Sequence, residues 1–180
     1  MRYRNMYDSA GGFYPKGVPK PVFLVPINGD FAEVDGIPQL EYIKENYPDA
    51  WCVQYAAVDQ EGVAVYDIEP GCIWPPSQAA LILKREVAAG HRPTAYASFD
   101  TMNILTAELA PVGLAIGIDH RIDGVLANPQ QFADNLDPPP NMQVPYPFVG
   151  AQWSWGQTYD TSLVLPTWGA LRPRGGTNQP

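Results

Sequence analysis

A chain of 180 residues with 46% hydrophobic and 17% charged residues can bury a sizeable core and is too apolar to be disordered, and its length fits a single domain with short extensions. The net charge of −8, with Lys and Arg scattered rather than striped, argues against a nucleic-acid partner. No apolar run reaches the length of a membrane span, and Met1-Arg2-Tyr3-Arg4 does not lead into the apolar segment of a secretory signal, so synthesis in a cytosol without membrane insertion is expected.

Residues 1–20, rich in Tyr, Gly and Pro, show neither helical nor strand periodicity and read as an irregular N-terminal arm. Residues 21–165 carry the periodic segments, and 166–180 read as a Pro/Gly-rich tail. The first periodic segment, Val22 to Ile27, is a buried strand that ends at Asn28-Gly29-Asp30. Asp35 as N-cap and Pro38 in the first turn predict a helix with Leu40, Ile43 and Tyr47 on one face. Ala50 to Val58 is a second strand. Pro75-Pro76-Ser77 predicts a helix over about 78–89, capped by Ser77 and stopped by Gly90. Thr94 to Ser98 is a short strand, followed by a helix with Asp100 as its candidate cap and Met102, Leu105 and Leu109 inward. Ser98 itself lacks a Gly-x-Ser-x-Gly elbow and reads as a cap rather than a nucleophile. Leu114–Ile118 and Gly124–Ala127 are further strand candidates, then a proline-rich connection without a regular helix, then strands over 148–155 and 159–164.

Between the second strand and the first long helix lies Val63-Ala64-Val65-Tyr66-Asp67-Ile68-Glu69-Pro70-Gly71, an apolar run ending in two carboxylates. Side chains two apart on a strand share a face, with Cα atoms roughly 6.5–7 Å apart, so Asp67 and Glu69 point one way and Tyr66 and Ile68 the other. Two crowded carboxyls tend to retain one proton between them, which supplies the acid and the anion that hydrolysis uses. Strands alternating with helices predict parallel β/α units, whose functional groups gather at the C-terminal strand ends. Asp30, Asp67, Glu69, Ser98 and Asp160 all follow apolar runs and would share one rim.

The segments Val65-Tyr66-Asp67-Ile68-Glu69, Ala89-Gly90-His91-Arg92-Pro93-Thr94-Ala95-Tyr96-Ala97-Ser98 and Gly150-Ala151-Gln152-Trp153, followed by Tyr159-Asp160, resemble in order and spacing the family 25 glycoside hydrolases, the Chalaropsis-type lysozymes. The chain also resembles the related glycoside-hydrolase-like domains of actinobacteria and their phages. The resemblance implies an irregular TIM-like (β/α) barrel with fewer helices than strands, flanked by the two arms. It implies cleavage of the muramic-acid glycosidic bond of peptidoglycan, with Glu69 as general acid and Asp67 as its partner. Asp30 and Asp160 would match the first-strand and last-strand carboxylates. Trp74, Tyr96, Gln152 and Trp153 are the substrate-binding candidates, with Trp74 as a cleft wall.

An Asp-x-Glu pair at a strand end is on its own more often a solvated terminus, and aromatic residues at strand ends are more often core. A second reading therefore stands beside the enzyme: a barrel without turnover that binds glycan or serves in a phage virion, at the tail or capsid, reaching other virion proteins through its terminal arms. His91 and His120 are isolated, and neither a metal nor a cofactor is expected from the local spacing. Cys52 and Cys72 read as buried thiols, with a disulfide between them as the alternative.

Overall fold

In the computed structural model the described residues are 3–8, 21–27, 33–34, 37–127, 143–155 and 160–171. Asp30, Asp35 and residues 9–20, 128–142 and 172–180 lie outside them. The elements follow in the order β1 (Arg4–Asp8), β2 (Val22–Pro26), β3 (Glu33–Val34), β4 (Ile37–Pro38), α1 (Gln39–Asn46), β5 (Trp51–Ala56), β6 (Val65–Asp67), α2 (Pro76–Ala88), β7 (Thr94–Ser98), α3 (Phe99–Leu109), β8 (Asp123–Ala127), β9 (Gly150–Trp155) and β10 (Asp160–Val164). Eight strands close into a barrel in the order β1-β10-β9-β8-β7-β6-β5-β2, and β3 and β4 form a separate hairpin. Seven barrel strands run parallel; β10 alone is antiparallel to both its neighbours. The architecture is mixed α/β with fewer helices than strands among the described residues.

Apolar side chains divide by strand face. Met6, Val22, Leu24, Val53, Tyr55, Val65, Tyr96, Val125, Val149 and Val164 fill the barrel interior. Tyr66, Ile68, Ala95 and Ala97 face outward and pack under α2 and α3, against Leu83, Val87, Met102, Leu105 and Leu109. Tyr7, Phe23 and Val25 do the same with Ile43 of α1. Strands covered on both sides read as continuous apolar runs, which is why β2 was legible and why its period of two was not.

Three local expectations are corrected. Arg4–Asp8 is a full barrel strand, paired with β10 over five residues and with β2 over three, where an irregular arm was expected. Its sequence, Arg-Asn-Met-Tyr-Asp, shows no strand pattern because adjacent Met6 and Tyr7 are both buried, one inside the barrel and one outside. Ser77 does not cap α2: the helix starts at Pro76, whose missing N–H is one of the donors a first turn leaves without a partner anyway. Leu114–Ile118 contributes one isolated bridge, Ile116 to Ile122, and no strand. Gly117, at φ +150°, turns the chain there, and a Cβ on it would come within 2.9 Å of Pro147.

Ser98 is the cap of α3, accepting the Thr101 N–H at 3.3 Å, and Asp100 falls in the first turn instead, where its charge suits the helix dipole. The N-terminal end of the barrel is sealed by the segment after β10. Trp168 is fully buried there, its Nε1–H donating to Thr94 Oγ1 at 2.8 Å, and Leu171 is buried beside it.

Candidate functional site

The other end of the barrel, at the C-terminal ends of the parallel strands, is lined by carboxylates. On β6 the alternation that sends Tyr66 and Ile68 outward sends Val65 and Asp67 inward, so Asp67 stands at the top of the interior. The chain then turns back on itself: the Cys72 N–H donates to the Glu69 carbonyl at 3.0 Å and the Ile73 N–H to the Asp67 carbonyl at 3.2 Å. Gly71 sits at φ +97°, a conformation in which a side chain would be strained. The turn returns Cys72 to Asp67, and its thiol donates to Asp67 Oδ2 at 3.5 Å. One oxygen of Asp67, one of Glu69 and the Cys72 sulfur all lie within 4.8 Å of one another. Asp67 is 8% exposed and its Oδ1 has no hydrogen-bond partner among the described residues, whereas Glu69 is exposed.

Burial decides the charge states. The Asp67 carboxyl is pushed up to about 7 by loss of hydration and then by the neighbouring Glu69 charge, against a smaller opposing pull from the Cys72 hydrogen bond. Glu69 is raised too, by partial loss of hydration, although the residue as a whole reaches solvent. The Cys72 thiol is pushed up to about 12, first by burial and then by Asp67, so it keeps its proton. Tyr96, on β7 directly beside Asp67, is raised well above its usual value by burial and then by Asp8, Asp160, Asp67 and Glu69. Four carboxylates from β1, β6, the turn after β6 and β10 thus bear on a single buried phenol. Asp8 and Asp160 are direct partners in the β1–β10 ladder. The Tyr96 hydroxyl donates to Gln152 Oε1 at 3.4 Å, which ties β7 to β9 across the mouth.

Asp67, Glu69, Asp160, Tyr96 and Gln152 therefore converge as one constellation. Trp74, 43% exposed, stands in the loop after Gly71, free to offer a ring face. Trp153 is 2% exposed at the bulge in the β9–β10 register, so its ring offers no open stacking surface. Asp30 lies outside the described residues, and the carboxylate that the first barrel strand brings to the mouth is Asp8. A sequence signal for Asp8 existed: Tyr-Asp recurs at 7–8, 66–67 and 159–160, and each Asp reaches the rim. Cys72 was also missed as a neighbour of Asp67, because only the turn brings it back. Both cysteines are free thiols. Where the sequence led us to expect no metal, the structure gathers three donor atoms; nothing else among the described residues groups in that way. His91 lies at the opposite end, 2.7 Å from Glu86.

Compared with known proteins, the chain matches no family model, no curated protein and no solved structure.

Proposed function

We propose that the protein is a lysozyme-like glycosidase domain, an irregular TIM-like barrel that acts on bacterial cell-wall peptidoglycan and is encoded by a phage. The observation that carries this reading is the pairing of a buried carboxyl, Asp67, one of whose oxygens has no hydrogen-bond partner among the described residues, with an exposed one, Glu69, their nearest oxygens within 4.8 Å, at the mouth of a closed barrel. Hydrolysis of a glycosidic bond needs a proton delivered to the leaving oxygen and a negative charge near the oxocarbenium carbon. Burial favours the shared proton on Asp67, so Glu69, which reaches solvent, acts as general acid in the state where that proton has passed to it and Asp67 is left as its anionic partner. So short a separation leaves no room between the two for the water that an inverting pair holds about 6.5–9.5 Å apart, which favours retention or assistance from the substrate's own acetamido group. Tyr96 and Gln152 hold the floor of the site, Trp74 supplies a wall for a sugar ring, and Asp8 and Asp160 complete the acidic rim.

Clearing of an actinobacterial cell-wall suspension tests this. Wild type should lyse walls, and Glu69→Gln and Asp67→Asn should each lose about 10²–10⁴ in rate. A folded wild type that leaves such walls intact refutes hydrolysis; full lysis by Glu69→Gln refutes its role as the acid.

One observation favours a second reading, a glycan-binding or structural virion component without turnover. Phe99, Ile104, Val112, Leu81 and Tyr146 are large apolar side chains between 48% and 80% exposed, which a partner surface in a virion would cover. On that reading the protein sediments with walls and never clears them.

A further inference from the structure

We infer that Asp67, Glu69 and Cys72 form a binding site for a zinc-class divalent cation at the barrel mouth. Each contributes one donor atom, and the three lie within 4.8 Å of one another, close enough for a single ion to draw them into contact. The donor set is mixed, two carboxylate oxygens and a sulfur. Sulfur selects borderline and soft ions such as zinc, cobalt or cadmium over magnesium and calcium, which take oxygen ligands.

The independent sign of a missing partner is Asp67 Oδ1. It belongs to a side chain that is 8% exposed, it meets no donor among the described residues, and its other oxygen already faces the Cys72 sulfur at 3.5 Å. A buried polar atom without a partner is uncommon and calls for an explanation, an ion among them. The surroundings suit a cation. Asp8 and Asp160 act on the same Tyr96 phenol as Asp67 and Glu69, and all four raise it. The turn from Glu69 to Ile73, closed by two backbone hydrogen bonds, holds the thiol in place without an ion.

On binding, the thiol releases its proton to solvent and the sulfur takes up the metal, with no oxidant or reductant involved. The ion occupies the same carboxyl oxygens that would act on a glycosidic bond, so cation and sugar compete for the mouth. Ion binding is read without any substrate, so failure of the hydrolytic reading leaves it untouched.

Titration of the full chain with Co²⁺ tests the site, following the thiolate-to-cobalt charge-transfer absorption. One equivalent should give the band, Zn²⁺ should abolish it by displacement, and excess Mg²⁺ should not. Cys72→Ser should remove the band, and Asp67→Asn, which keeps the side-chain shape, should weaken binding at least about tenfold. Cys52→Ser should retain both the band and the affinity, which controls for folding and for the other thiol. Absence of the band in wild type, its persistence in Cys72→Ser, or displacement by Mg²⁺ would each overturn the assignment.

Discussion

The two ends of the barrel use the same side chains to opposite effect. At the N-terminal end, buried Asp123 accepts two hydrogen bonds from Arg92, at 2.7 and 3.1 Å, and a third from the Gly169 N–H at 3.2 Å. Glu86, also buried, accepts from Arg85, from the Gly62 N–H and faces His91. At the mouth, Asp67 is also buried, yet among the described residues no cationic side chain pairs with it and one of its oxygens has no hydrogen-bond partner. Burying a carboxylate is unfavourable unless hydrogen bonds and opposite charge compensate. Where both are present the residue holds the fold together; where only a long thiol hydrogen bond is present, the fold carries an unfavourable group.

Substitutions at the two ends should therefore separate activity from stability. The largest effect expected is the 10²–10⁴-fold loss of wall clearing by Glu69→Gln and Asp67→Asn. Asp67→Asn should leave the melting temperature unchanged or higher, because it removes a poorly compensated buried acid; a clear fall in melting temperature would break the contrast. Trp168→Ala at the sealed end should do the reverse, lowering stability by about 3–5 kcal/mol in denaturant unfolding, since it empties the plug and frees Thr94. Asp123→Ala should cost about 2–4 kcal/mol by stranding the Gly169 N–H and the Arg92 guanidinium, the latter softened by its partial exposure.

Glu86 sharpens the comparison through pH. Burial alone would raise its carboxyl, but His91, the Gly62 N–H, Arg85 and Tyr66 outweigh burial and hold it below its ordinary value of 4.5. A depressed carboxyl stabilises the fold above the unfolded value and loses that contribution as pH falls through the folded one. Glu86→Gln should therefore narrow the gap to wild type in melting temperature as pH drops below about 4.5. An unchanged gap across that range would show that Glu86 is not held by charge. The smallest effect is at Ser98→Ala, which removes the cap of α3 and should cost about 1 kcal/mol.

How much of this was legible beforehand depended on whether the signal was local. Val22–Pro26, the strand at 51–56, both long helices and the Asp67/Glu69 strand end were visible because apolar runs and proline or glycine stops mark them within a few residues. Arg4–Asp8 was not, because a strand whose inner and outer faces are both covered carries no alternation, and this one has only Met6 and Tyr7 as apolar contacts. The cap of α3 was split between Ser98 and Asp100, which differ in backbone geometry rather than in type: Ser98 is extended at φ −62° and ψ 160°, as a cap must be.

The sequence by itself determined that a carboxylate pair ends a buried strand, because a period of two is a property of any extended chain and needs no partner. It also determined the acidic character of the whole. Only the tertiary structure decided which charges remain uncompensated. Barrel closure brings β1 against β10, sets Asp8 opposite Asp160, and gives Arg92 to Asp123 across 31 residues while giving Asp67 a thiol five residues away. Electrostatic energy depends on distances between groups far apart in the chain, and the ring of strands fixes those distances.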